Sequence, residues 1–190
     1  MSEIDKRQII LDSAFQVFMK KGFHNAKMTD VAEYAGIGKG TIYEYFDSKK
    51  TLFEESFINN LEIGYNDIRT IFESESCFKE KLSQYLIFKY NCWSVQSSLA
   101  ENFLAQGELV PKRIKESLMG YMIKYYNHLS KLVNQGINEM VLKENVDTEI
   151  MVSCIMGISN NYLGIKVLFK KENEIDYEKI INSLLCGFGK

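Results

Sequence analysis

Ala32, Gly36 and Ile42 stand in the order A-x3-G-x5-I, with Val31, Ala35 and Ile37 placed to fill the other inward positions. Two short helices that cross steeply need a small residue where they touch, and Ala32 meets that need. The turn between them needs a residue free to take positive φ, and Gly36 is such a residue. Ile42 then packs the second helix back onto the first. This is the logic of a helix-turn-helix, whose second helix enters a major groove. Other chemistries find little support. Cys77, Cys92, Cys154 and Cys186 form no CxxC or CxxH pair, and His24 and His128 are the only imidazoles. Neither a zinc site nor a disulfide framework is expected. No paired carboxylates share an apolar face, there is no nucleophile elbow, and His128 lies between Asn127 and Leu129 without an obvious partner. The chain therefore reads as non-enzymatic, with no cofactor and no metal.

The elements that must carry this motif follow from composition and periodicity. The chain has 190 residues, 23 Lys+Arg against 25 Asp+Glu, 46% hydrophobic residues, 12 glycines and one proline. So little proline favours long helices, and few segments alternate. The expectation is an all-α chain of about nine helices. Asp5 with Gln8 starts a helix over 5–21 that stops at Gly22. Short helices follow over 28–35 and 39–46. Asp47-Ser48 caps a connector over 49–72, and Ser74-Glu75-Ser76 breaks it. Helices over 78–95 and 99–106 come next. Pro111 opens the longest helix, with a stripe running from Ile114 to Met140. The segment 148–170 is apolar on nearly all sides in its first half and reads as buried, and 177–188 closes the chain. The longest uncharged stretch, Ile150 to Ile165, has 16 residues, against about 20 for a bilayer span, so no membrane is expected. The N-terminus reaches charged residues at once and lacks an apolar core, which predicts a cytoplasmic protein.

Within this frame the run GIGKGTIYEYFDSKKTLF resembles the tetracycline-repressor (TetR) family of bacterial transcriptional regulators. Gly22-Phe23, Val31-Ala32, Ala35-Gly36-Ile37, Gly40-Thr41-Ile42-Tyr43, Tyr45-Phe46, Lys49 and Leu52 carry the likeness, which spans about residues 5 to 57. It implies a three-helix DNA-binding head over 1–48, a connector helix over 49–72 and a ligand-binding and dimerisation body over 73–190. It also implies double-stranded DNA as partner. Lys39 and Gly40 would open the recognition helix, where lysine can donate to guanine O6/N7. Thr41, Tyr43 and Tyr45 carry hydroxyls suited to phosphate oxygens. Lys49 would meet a phosphate at a helix N-terminus, and Lys27 and Thr29 could reach the other strand's backbone. Phe46 and Leu52 read as core. Gly38 stands where a capping Ser or Thr is common, Lys27 replaces a common hydroxyl residue, Tyr45 a frequent histidine, and Glu44 is acidic. Residues 1–50 hold 8 basic and 7 acidic side chains, so non-specific DNA affinity should be weak.

For the body, the same resemblance implies a pocket for a small apolar or aromatic effector of unknown identity. Tyr85, Phe88, Trp93, Phe103, Tyr121, Met122, Tyr125, Met156 and Tyr162 are the residues read as lining it, since aromatics and thioethers suit such a cavity. Glu101, Glu108 and Glu116 could pair a cationic ligand, although surface glutamates are far commoner. The last two helices are the expected dimer interface, through Met151, Ile155, Ile158, Leu184, Leu185 and Phe188. Two-fold symmetry would then require a palindromic operator with half-sites roughly 34–36 Å apart or a multiple of it. The function implied is a homodimeric repressor released by its effector. The alternative is a DNA-binding regulator governed by a protein partner.

Overall fold

The computed structural model describes residues 3–105, 110–168 and 175–188. Among them the regular elements are α1 (Glu3–Asn25), α2 (Met28–Ala35), α3 (Lys39–Tyr45), α4 (Lys49–Glu73), α5 (Phe78–Ala105), α6 (Lys112–Asn138), α7 (Thr148–Gly157), a π-helical turn over Ile158–Tyr162, α8 (Leu163–Leu168) and α9 (Tyr177–Phe188). The chain is all-α, with no strand among the described residues. It forms two compact units: Met1–Gly64 with Ser98–Gly120, and Tyr65–Ser97 with Tyr121–Lys190.

The first unit is built on the apolar faces of α1 to α4. Ile10, Leu11, Ala14, Val31, Ala32, Ile42, Phe46, Leu52 and Phe53 are buried together. The Phe53 ring meets Phe18 edge-on and Phe23 at a tilt, both at 5.1 Å between centroids, a separation at which aromatic pairs attract. Ile114, near the start of α6, is also buried in this core, with Val110 and Leu118 packed against it. In the sequence, Ile114 and Leu118 belong to one stripe running along a body helix. The structure places them in the core of the head. Beside Ile114, Arg113 reaches Glu55 at 3.7 Å and Glu54 at 4.0 Å, and Glu55 also pairs with Arg7. Such exposed pairs add about 0–1 kcal/mol each and mainly fix orientation.

The second unit packs Ile68, Phe78, Leu82, Tyr85, Leu86, Leu129, Leu132, Val133, Met151, Val152, Ile155 and Leu163 into one core. Two polar side chains taken into it are hydrogen-bonded. The Tyr85 hydroxyl lies 3.1 Å from Ser159 Oγ, and burial pushes its phenol pKa up to about 12. Buried Lys81 donates to the Phe72 carbonyl and to Gln135 Oε1, both at 3.0 Å.

Several boundaries differ from those expected. α1 begins at Glu3, before Asp5, and Gly22 (φ 74°, ψ 165°) breaks its last turns without ending them. The separate helix expected over 99–106 is the continuation of α5, because the serines at 97 and 98 do not break a helix as Gly or Pro would. At 28 residues α5 is longer than the 27-residue α6. Pro111 lies just outside α6 and accepts from Lys115 N. Met140 leaves the α6 stripe altogether, with φ 58° and 73% exposure. The segment from 148 is interrupted by its π-helical turn and is not buried all round: Ile150 is 54% exposed while Met151 is fully buried. By length and composition alone Thr148–Val167 could cross a membrane. Its Met151, Val152, Ile155 and Leu163 face is instead part of the second core.

Two glycines of α6 make opposite predictions. A Cβ on Gly136 would meet Phe78 Cδ2 at 2.7 Å and Leu142 Cδ1 at 3.0 Å, whereas one on Gly120 would meet nothing within 4 Å. Urea unfolding should show Gly136→Ala destabilising by about 1–2 kcal/mol, overpacking outweighing helix propensity. Gly120→Ala should stabilise by up to about 1 kcal/mol. Equal effects would refute the packing assignment.

Candidate functional site

The turn between α2 and α3 is set by backbone geometry. Gly36 adopts φ 67°, ψ 31°; its N–H donates to the Glu33 carbonyl at 3.2 Å and that of Ile37 to the Ala32 carbonyl at 3.0 Å. This paired closure ends α2 in the left-handed conformation that glycine adopts freely. At the other end of α2, Asp30 Oδ2 accepts from Lys27 N at 2.9 Å, and Asp30 Oδ1 pairs with Lys21 at 3.0 Å. The backbone donor first, and Lys21 second, hold the Asp30 carboxyl below its ordinary pKa.

α3 is anchored from behind by Ile42 and Phe46, which are 0% and 1% exposed. Its other face presents Lys39, Gly40, Tyr43 and Glu44 to solvent. Lys39 Nζ lies 5.7 Å from the centre of the Tyr43 ring, one turn on. Gly38 precedes α3 without a side-chain cap, as its lack of a side chain requires. α4 is properly begun, with Thr51 N donating to Ser48 Oγ at 3.0 Å.

The remaining residues expected to contact DNA take different settings. Lys27 and Thr29 are exposed at the start of α2, and Thr41 is half-buried. Tyr45 is half-buried against the head core, so less of its ring faces water than that of Tyr43. Lys49 donates to the His24 carbonyl at 3.0 Å and sits 4.6 Å over the Phe23 ring. It ties the start of α4 to the end of α1 as well as bringing charge there. Arg7, not singled out in the sequence, lies 5.3 Å over the Phe46 ring behind the recognition helix. Only its acidic and aromatic partners, distant in sequence, give it away.

The residues expected to line a body pocket do not form one set. Phe88, Tyr125 and Met156 pack partly buried against the second core. Tyr85 is sealed within it, its hydroxyl committed to Ser159, and is therefore corrected to a core residue. Tyr121 and Tyr125 flank Tyr65 at 5.5 and 6.0 Å. Met122 and Tyr162 are 47% and 44% exposed. Tyr162 lines a groove of about 460 Å³ with Ile158, Lys166, Ile175, Lys179 and Ile180. The side chains of Trp93, Phe103, Glu101, Glu108 and Phe188 lie outside the described residues. Glu116 is a surface residue paired with Lys112 at 3.6 Å.

The interface expectation also changes. Met151 and Ile155 are fully buried, and Leu184 is 8% exposed, all in this chain's own core, so these three cannot offer surface to another subunit. Ile158 and Leu185 are partly buried at its edge. The apolar side chains left exposed on the same helical stretch are Ile150, Tyr162 and Ile165. The hydrophobic run was legible, but a one-residue shift on a helix turns a side chain from the core toward water.

A helix-turn-helix with an exposed basic and aromatic recognition face, within an all-helical chain, defines a DNA-binding transcriptional regulator. Residues 10–56 match the family of bacterial regulatory proteins, tetR family. It is 27% identical over 184 residues to the fatty acid metabolism regulator protein of Bacillus subtilis (strain 168), covering 93% of this chain and 90% of that one. Its fold is shared with Bacillus subtilis FadR, solved in complex with stearoyl-CoA, at TM-score 0.66 and 21% identity over 94% of this chain and 95% of that one. It is also shared with a regulator from Saccharomonospora viridis in complex with choline, at TM-score 0.73 and 18% identity over 96% and 94% of the two chains. These relatives are regulators, and no enzymatic family is indicated.

His128, without an obvious partner in the sequence, has two. Its Nε2 lies 3.0 Å from the Tyr65 hydroxyl, and its ring stacks on Phe72 at 5.1 Å. Burial first, then Lys131, lowers its pKa, with Glu73 opposing. The folded state thus binds fewer protons than the unfolded one just below the ordinary histidine value, so acid costs stability there. Thermal unfolding should show Tm falling as pH drops from about 6.5 through the lowered folded value, and His128→Gln should flatten that part of the profile. An unchanged profile would mean that the imidazole does not carry the linkage.

Proposed function

We propose that this regulator is a homodimeric, effector-responsive repressor that binds a palindromic operator, and that its effector is a fatty acyl compound. One observation carries the DNA reading: α3 buries Ile42 and Phe46 while turning Lys39, Gly40 and Tyr43 to solvent. That orientation is what major-groove entry requires. Base reading falls to Lys39, with Gly40 allowing close backbone approach. Phosphate contacts fall to Tyr43, Thr41, Tyr45, Lys49, Lys27 and Thr29. The head carries almost no net charge, so affinity depends on these local contacts and on joining two heads.

The acyl effector reading is supported by the full-length likeness to a fatty acid metabolism regulator and by the shared fold of a regulator holding stearoyl-CoA. Phe88, Tyr125 and Met156, partly buried against the second core, offer the apolar surface that an aliphatic tail would need. The acyl reading narrows the apolar or aromatic class expected from the sequence. To release DNA fully, the effector must favour the non-binding form by about 5.5 kcal/mol. The dimer reading rests on Ile150, Tyr162 and Ile165, which are 54%, 44% and 51% exposed along one helical stretch. A four-helix interface built on such a stretch would give the two-fold axis a palindrome needs.

The deciding experiment is selection from a random duplex pool at moderate salt. A palindrome with fixed half-site spacing is expected; enrichment of no sequence would refute the reading. With the operator in hand, Lys39→Ala should relax preference at one base position, at a cost of about 1–3 kcal/mol. Lys49→Ala should weaken all sequences alike and reduce the salt slope by about 1. An unchanged base preference removes Lys39 from the reading set. For the dimer, sedimentation of Ile165→Glu should show monomers while Tm changes little, because the side chain faces water in the single chain. A dimer as tight as the parent's would move the interface elsewhere.

A further inference from the structure

Phe46 ends the recognition helix and is one of the two side chains that hold it down. Its ring is 1% exposed, yet not everything that covers it is apolar. Arg7, carried by α1, places its guanidinium carbon 5.3 Å from the centre of that ring. A cation at this distance is attracted to the ring face, and a planar guanidinium can stack on it. The place of Arg7 is set in turn from α4, where Glu55 Oε2 pairs with its Nη2.

Glu55 is itself held. Its side chain is 22% exposed, and its second oxygen, Oε1, faces Arg113 Nη1 at 3.7 Å. The neighbouring Glu54 takes Arg113 and Lys50, both at 4.0 Å. With one oxygen committed to each arginine, the Glu55 carboxylate cannot swing toward one without leaving the other. The guanidinium of Arg7 therefore lies between a directed anion and an aromatic ring, and both fix where it sits. A helix of seven residues without a side-chain cap has little else to settle its direction.

We infer that Arg7 is a positioning residue for DNA recognition: clamped by Glu55, it fixes Phe46 and thereby the direction in which α3 presents Lys39 and Tyr43. This rests on the DNA-binding reading of α3 and adds to it a residue that precedes the helix-turn-helix. A 48% exposed arginine in a DNA-binding unit has a rival role, direct contact with a phosphate. The two roles make opposite demands on Glu55. If Arg7 binds phosphate, Glu55 competes with DNA for it, and removing that anion strengthens binding. If Arg7 positions α3, Glu55 is its clamp, and removing it weakens binding.

The test uses the full chain and, as probe, the duplex that the parent protein enriches from a random pool. Affinity is read by fluorescence anisotropy over a series of salt concentrations, with Tm measured alongside. Arg7→Gln should weaken binding roughly 5- to 20-fold with the salt slope unchanged. Glu55→Gln should weaken it comparably, and the double variant should be no weaker than the worse single one, because the two side chains act as a unit. Arg7→Lys keeps the charge without the planar fork and should recover only part of the loss. Each change should lower Tm by no more than about 2–4 °C, so that all variants are folded at the assay temperature. If Glu55→Gln binds as tightly as the parent or tighter while Arg7→Gln flattens the salt slope by about 1, Arg7 is a phosphate contact and the positioning role is refuted. If Arg7→Gln binds like the parent, it has no role in recognition. Affinity lost only in step with folded protein would reduce the Arg7–Glu55 pair to a stabilising contact and likewise overturn the inference. If the parent enriches no duplex, the DNA reading falls and the role of Arg7 falls with it.

Discussion

The recognition helix is too short to hold itself. α3 has seven residues and no side-chain cap at Gly38, far below the length at which an isolated helix persists in water. Its shape and direction are therefore imposed from behind, by burial of Ile42 and Phe46 and by the left-handed closure at Gly36. Burying two such side chains is worth about 1.5–3 kcal/mol each, more than the hydrogen bonds of so short a helix return. What the outer face of α3 can read follows from that inner contact. Lys39 and Tyr43 are held one turn apart because Ile42 cannot rotate out.

The head's core extends beyond the segment that carries the motif. Ile114, with Val110 and Leu118 at its edge, joins buried residues that all lie more than sixty positions earlier in the chain. Arg113, next to Ile114, meets the two glutamates of α4 that also meet Arg7 and Lys50. The apolar contact supplies most of the energy, and the charges around it decide register. Change at the start of α6 would thus be felt in the packing of the DNA-binding unit itself.

Legibility in the sequence tracks how local the determining physics is. The turn at Gly36, the small contact at Ala32 and the cap at Ser48 are decided within a few residues, and each was readable without the fold. The all-helical class followed from periodicity and from the single proline. What could not be read depends on which helix lies opposite. Ile114 looks like any other apolar residue of its stripe, and nothing local assigns it to the head. Met151 and Ile150 are neighbours of similar hydrophobicity, yet one is sealed in the core and the other faces water. The merger of two expected helices into α5 went unseen because serines weaken a helix without ending it.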